Sequence, residues 1–227
     1  MKSPKEIINE IKQTLPPYVK LVAVSKFHPA SMIEDAYAGG HKVFGENHVQ
    51  ELQQKHEVLP KDIEWHFIGH LQTNKVKYIA EYVHLIHAVD THKLLVEINK
   101  QAEKHNRVID CLLQLHVAQE ETKFGFAPQE LLEYIEQGEW RSLTNIRLCG
   151  LMCMASNVDD EKQIASEFEL AYNIFKKLKS EYFADEDYFA IRSWGMSEDY
   201  PIAINHGSNM IRVGSKIFGP RIGRAHV

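Results

Sequence analysis

The chain has 227 residues, 44% of them hydrophobic and 25% charged, with a formal net charge of −5. This is the composition of an ordinary globular protein, and its acidic balance argues against a broad nucleic-acid surface. No run of eighteen apolar residues occurs, and the polar start Met1-Lys2-Ser3-Pro4-Lys5-Glu6 lacks the apolar core of a secretion signal, so the sequence predicts no membrane helix and a cytoplasmic location.

Taken in order, Ile7, Ile8, Ile11 and Leu15 recur at helical spacing and Pro16-Pro17 stops them. Leu21 to Lys26 reads as a buried strand on which Val22, Val24 and Lys26 share a face. A lysine at such a strand end is either a snorkelling surface residue or an amine held at a low-dielectric rim, where it becomes a nucleophile toward aldehydes. A short helix follows around Met32, Ile33, Ala36 and Tyr37 and ends at Gly39-Gly40. The strand Lys42-Val43-Phe44 runs into Gly45-Glu46-Asn47, and a helix follows from His48 to Val58. The alternation continues with a strand at Glu64–Ile68, a polar-rich helix at Gln72–Tyr82 and a strand at His84–Val89. Asp90 or Thr91 then caps a helix carrying Leu94, Leu95, Ile98 and Ala102. Further strands are predicted at Val108–Val117, Ile146–Met154, Asp187–Ser193 and Met210–Gly214. Helices are predicted at Pro128–Ile135, from Asp159 or Asp160 onward, and at Ser197–Asn205. In the long helix, Ile164, Phe168, Ala171, Phe175, Leu178 and Tyr182 form a core face.

Eight strands alternating with helices predict parallel pairing with right-handed crossovers and a single-domain (β/α)8 TIM barrel over residues 1–227; a doubly wound open sheet is the rival. The three cysteines, Cys111, Cys149 and Cys153, read as reduced, buried thiols. Cys149 and Cys153 are expected on one face of a strand, without the paired motif of a zinc site.

Function in such a barrel gathers at the C-terminal strand ends. Those ends carry Lys26, Asn47, His70, Asp90, His116, the Ser193–Ser197 stretch with Met196, and Gly214-Ser215. The hydroxyls and backbone N–H groups after strands seven and eight are either a phosphate cup or ordinary caps and turns. Arg212 shares a face with Met210 and Gly214. Inside a barrel it needs an acceptor, either a carboxylate or the ring nitrogen of a bound heterocycle; outside, it would be an ordinary surface arginine. A lysine, a phosphate cup and an arginine beneath them fit pyridoxal 5′-phosphate (PLP) held as a Schiff base.

On these residues the sequence resembles the PLP-binding proteins of PLP homeostasis, which are similar to the N-terminal barrel of alanine racemase, a fold type III arrangement. The matching stretches are Leu21–Lys26, Phe44–Asn47, Trp65–Lys75, Lys123–Phe126, Gly150–Met152, Gly195–Ser197 and Arg212–Gly219. The resemblance implies that Lys26 carries the cofactor as a Schiff base. It implies that Ser197, Gly214 and Ser215 hold the phosphate with Ser193 and the Met196 backbone nearby, that Arg212 approaches the pyridine nitrogen, and that Asn47 lines the pocket. Trp194, Ser215, His116 and Cys153 depart from the common pattern, which has methionine, threonine, asparagine, and threonine or alanine there.

Racemases of this fold use a second base, a tyrosine from a separate domain of the partner subunit. The chain ends at Val227, shortly after the eighth strand, so no such domain is expected. The expectation is a monomeric, non-catalytic PLP binder acting in PLP homeostasis, with PLP-dependent client enzymes as partners and no nucleic-acid or membrane partner. The alternative is a low-activity PLP-dependent amino-acid racemase with His70 or a tyrosine as second base. A metal-dependent hydrolase using His66, His70, Asp90 and His116 lacks any ligand-spaced motif, and no metal is expected.

Overall fold

Eight parallel strands close into a barrel in chain order in a computed structural model that describes residues 1–121 and 124–221. They are β1 (Lys20–Val24), β2 (Val43–Glu46), β3 (Glu64–Phe67), β4 (Leu85–Val89), β5 (Ile109–Gln114), β6 (Ile146–Met152), β7 (Ile191–Ser193) and β8 (Met210–Val213). The last strand returns to the first, with Lys20 opposite Met210 and Ala23 opposite Val213. The expected (β/α)8 barrel is therefore the observed fold, and the open sheet is excluded. Lys123, one of the matched residues, and residues 222–227 of the expected span lie outside the described residues.

Alternation along the strands makes two cores. Val22, Leu85, Leu112, Met152 and Met210 pack together in the barrel lumen, while Leu21, Ala23, Phe44 and Trp65 belong to the larger core under the helices. The helices are α1 (Pro4–Thr14), α2 (Ala30–Ala38), α3 (Val49–Val58), α4 (His92–Lys104), α5 (Pro128–Gln137), α6 (Glu161–Tyr182), α7 (Tyr200–Asn205) and α8 (Ser215–Phe218). Their starts follow local chemistry. Thr91 Oγ1 accepts the Leu94 N–H at 3.1 Å at the head of α4. The Asp160 carboxylate accepts the N–H groups of Lys162 and Gln163 at 3.0 and 3.2 Å at the head of α6. On α6, Ile164, Phe168, Ala171, Phe175 and Leu178 are buried and Tyr182 is half-buried, as the spacing predicts.

Three local expectations change. The stretch predicted as a helix over Gln72–Tyr82 forms only a 3-10 turn at Thr73–Tyr78; Val76, Ile79 and Ala80 are buried as their spacing predicts, but the backbone after Tyr78 leaves the helix. β7 begins at Ile191, since Phe183 to Phe189 is used up in turns closed by the Glu186 and Phe189 N–H groups. Cys149 and Cys153 do not share a face: Cys149 packs in the lumen and Cys153 in the outer core. The register passes from Cys111 opposite Leu148 to Leu112 opposite Gly150, leaving Cys149 as the extra residue of a bulge. All three cysteines are buried free thiols.

Candidate functional site

The turn after β1 is held from both sides. β1 ends at Val24, two residues before Lys26, and Phe27 adopts a left-handed φ of 64°. Ser25 donates its N–H to the Gly45 carbonyl at 3.0 Å and its hydroxyl to the Glu46 carboxylate at 2.7 Å. The Lys55 ammonium reaches in from α3 and donates to the Ser25 carbonyl at 2.8 Å, to Glu46 at 2.6 Å and to Glu51 at 2.7 Å. Glu51 in turn accepts the Phe27 N–H at 2.6 Å. Ser25 and Phe27, the neighbours of Lys26, are thus fixed by one buried charge network. Burial pushes the Glu46 carboxyl up to about 7, against the opposing pull of Lys55.

Lys26 itself is half-buried and faces a cavity of about 350 Å³ at the C-terminal ends of the strands. Asn47 after β2, Met196 and Ser197 after β7, and Arg212, Gly214 and Ser215 at the end of β8 line the same cavity. The two candidate cup segments touch, because Ser197 Oγ accepts the Gly214 N–H at 3.2 Å. Met196 donates its N–H to Asp199 at 2.7 Å, closing the turn that presents Ser197. Gly195 has a φ of 102°, and a Cβ there would lie 2.7 Å from Ala203 Cβ, so the turn can pack against α7 only as glycine. A Cβ on Gly214 would stand 3.2 Å from Val24, which draws the end of β8 against β1 and brings Ser215 and Lys26 to one mouth.

Arg212 is buried in the lumen and not a surface residue; it is 3% exposed. Its acceptors are the Ser193 carbonyl at 2.8 Å, Ser193 Oγ at 2.5 Å and the Cys153 carbonyl at 3.1 Å, with no carboxylate among them. Burial pushes its guanidinium down to about 10, which leaves it charged at neutral pH. Three of its five N–H groups are used in these contacts, so it retains donors for a ligand. Ser193 does not line the cavity. It is fully buried beneath Arg212, and its Oγ is also 2.9 Å from His87 Nδ1.

Sequence reasoning missed two features. One is the Glu46–Lys55–Glu51 network. The other is a chain of buried rings in the lumen, in which His66 Nδ1 lies 2.8 Å from His87 Nε2 and His87 continues to Ser193 and Arg212. Inward parity of His66 and His87 on neighbouring strands was the available signal. His70 stacks on Phe124 with ring centroids 3.9 Å apart and pairs with Asp90 at 3.3 Å; neither it nor any tyrosine lines the cavity among the described residues. His66, His70, Asp90 and His116 do not gather at metal-ligand spacing.

The residues present fit a small phosphorylated aldehyde. Three cationic side chains, Lys26, Arg212 and Arg221, line one cavity. Asn47 Oδ1 and His28 Nδ1, both on residues of that wall, are buried with no hydrogen-bond partner and await a polar ligand. The hydroxyls of Ser197 and Ser215 and the small Gly214 offer a cup for an anionic group.

The alanine racemase N-terminal domain family matches residues 5–221. The chain is 40% identical over 203 residues to the pyridoxal phosphate homeostasis protein of Aquifex aeolicus, covering 89% of this chain and 87% of that protein. It is 37% identical over 206 residues to the protein of the same name in Schizosaccharomyces pombe, with coverages of 89% and 84%. Among solved structures, PipY of Synechococcus elongatus with PLP bound superposes with a TM-score of 0.85 at 33% identity, covering 96% of this chain and all of that one. Alanine racemase of Clostridium difficile, at 16% identity and a TM-score of 0.72, shares the fold over 98% of this chain and 58% of its own length. The chain belongs to the alanine racemase N-terminal domain family, within its group of pyridoxal phosphate homeostasis proteins.

Proposed function

We propose that this protein binds PLP in the C-terminal mouth of its barrel, attached to Lys26 as a Schiff base, and that it stores, buffers or delivers the cofactor without turning over amino acids. The observation that carries the reading is the convergence of Lys26, Arg212 and the Ser197–Gly214–Ser215 cup on one cavity. The names of the relatives and the PLP-bound state of PipY support it.

The cofactor supplies an electrophilic aldehyde and a conjugated ring able to stabilise a carbanion. Lys26 would hold the cofactor through its aldehyde, as a primary amine on the cavity wall. The hydroxyls of Ser197 and Ser215 would hold its phosphate, with the Gly214 backbone alongside. Arg212 would serve as the donor toward the ring nitrogen, and a guanidinium, which does not give up its proton at neutral pH, would leave that nitrogen unprotonated and the ring a weak electron sink. Racemisation also needs a second base opposite the lysine, and among the described residues neither His70 nor a tyrosine is on the cavity wall. Both points favour a carrier over a catalyst. The protein is read as a single-domain monomer of the cytoplasm that serves PLP-dependent client enzymes.

The test is a visible absorption spectrum of the full chain with added PLP, followed by borohydride reduction and peptide mass mapping. The expected result is an imine band in the wild type, a reduced adduct on Lys26, no band in Lys26→Ala, and no stereoinversion of amino acids. A wild type that forms no imine overturns the reading, an equal adduct in Lys26→Ala overturns the attachment point, and sustained racemisation restores the enzyme.

A further inference from the structure

The opposite, N-terminal mouth of the barrel carries a second constellation. Glu64 opens β3, His66 follows two residues later on the same inward face, and His84 immediately precedes β4. One ligand atom from each lies within 4.8 Å of the others. Glu64 Oε2 and His84 Nε2 are 3.6 Å apart, close to the edge of about 3.3 Å expected of a tetrahedron with zinc–ligand bonds of about 2.0 Å. The His66 and His84 rings are stacked with centroids 5.5 Å apart. Glu64 and His84 are part-exposed, with side-chain exposures of 38% and 46%, so an ion can enter and these two side chains can close on it.

A second observation points to a ligand. His66 is fully buried, its Nδ1 is taken by His87, and its Nε2 has no hydrogen-bond partner. A buried imidazole nitrogen without a partner is costly, and a metal ion is a partner that imidazole suits. The Glu64 carboxylate is shared with Lys20, whose ammonium donates to Oε2 at 3.0 Å and competes with a cation.

We propose that Glu64, His66 and His84 bind a divalent transition metal of the zinc class at the N-terminal mouth, and that the ion fixes the proton positions along the His66–His87–Ser193 chain to Arg212. Both rings are fully buried and, among the described residues, bond only to each other and to the Ser193 hydroxyl, contacts that a pair of neutral imidazoles with one proton each satisfies. With the metal on His66 Nε2, the His66 proton sits on Nδ1 and is donated to His87 Nε2. The His87 proton then sits on Nδ1 and is donated to Ser193 Oγ. That oxygen already accepts from Arg212, so its own hydrogen turns away. In the opposite register Ser193 donates to His87, His87 donates to His66, and a proton on His66 Nε2 blocks the metal. No proton is gained or lost between the two registers. By linkage, whatever ligand Arg212 meets in the cavity and the ion at the far mouth bias one another.

The experiment is calorimetric titration of zinc chloride into the chelator-treated, untagged full chain, with histidine ring 15N shifts recorded alongside. The chain has 13 histidines, so differences between variants isolate the site. Wild type is expected to take up one saturable equivalent. Glu64→Gln and His84→Ala, surface changes checked for unaltered circular dichroism, are expected to weaken it by about tenfold or more. Lys20→Met is expected to tighten it by freeing the carboxylate. No saturable uptake by the wild type, or undiminished affinity in His84→Ala, overturns the site. His87 ring nitrogen shifts that do not respond to bound zinc overturn the coupling to Arg212.

Discussion

Arg212 and Ser193 meet twice under the cavity: one guanidinium nitrogen donates to the Ser193 carbonyl at 2.8 Å and to its hydroxyl oxygen at 2.5 Å. The pair places a fixed cation on the same cavity wall as Lys26, with no carboxylate among its hydrogen-bond partners. A buried charge of this kind is tolerable only because its donors find several acceptors at once.

Arg212→Met tests that arrangement. The substitution removes a buried charge but leaves the Ser193 hydroxyl and the Cys153 carbonyl without their donors. The expected net effect on the cofactor-free protein is a loss of about 1–3 kcal/mol in urea unfolding. An unchanged midpoint would show that these acceptors find other donors and that the charge itself costs as much as its contacts return.

Gly195→Ala tests whether the presentation of Ser197 is set by steric fit. The new Cβ would meet Ala203 Cβ at 2.7 Å and Tyr200 Cα at 3.0 Å, with a φ that side chains avoid. α7 must move away from the end of β7, taking the Ser197–Gly214 contact with it. Overpacking of this kind costs about 1–3 kcal/mol, and PLP titration should show weakened binding in the same variant. A variant with wild-type thermal stability and wild-type PLP affinity would mean that the turn relaxes freely.

The barrel was legible in the sequence because strand and helix signals alternate along nearly the whole chain and each strand end is marked by glycine, a cap or a polar residue. Lys26, Arg212, Gly214 and Ser215 were legible because inward parity and position at the strand ends follow directly from that alternation. Ser193, expected near the phosphate cup from its place at the strand end, stands off the cavity wall, where its hydroxyl contacts Arg212 and His87. The lumen chain was hidden because His87 and Ser193 are 106 residues apart and meet only after the barrel closes. The Glu46–Lys55 contact joins the end of a strand to the last turn of the next helix, and no i,i+4 rule reports it. The Cys149–Cys153 error has a local cause, since strict alternation fails at the Gly150 bulge.

The cysteines give a chemical prediction. Burial pushes the Cys149 thiol up to about 12 and the Cys111 thiol well above its ordinary value, so neither is a thiolate near neutral pH. Cys153 is fully buried as well. A disulfide-exchange reagent at about pH 8 should label none of the three in the folded protein and all three in urea. Rapid labelling of one thiol in the folded state would reveal opening of β5 or β6.

The network beside Lys26 predicts a pH dependence with a definite sign. Burial raises the Glu46 carboxyl from 4.5 to about 7. Between those values the folded protein holds a proton that the unfolded chain has released, so the contribution of Glu46 to stability falls as pH rises through that window. Below it both states are protonated and the contribution stays at its full, pH-independent value. Glu46→Gln removes the titration, so wild type should lose stability relative to this variant between about pH 5 and about pH 8, as read from urea midpoints of both proteins. Lys55→Met acts in the opposite sense. It leaves Glu46 and Glu51, each within 2.7 Å of the ammonium, facing one another without a cation. Breaking a buried pair from one side costs about 3–5 kcal/mol, and the loss should be larger at about pH 8 than at about pH 5, because an ionised Glu46 then lies buried without its cation. If Lys55→Met unfolds at the wild-type midpoint at both pH values, the network does not hold the Ser25–Phe27 turn, and the placement of Lys26 must come from the strand alone.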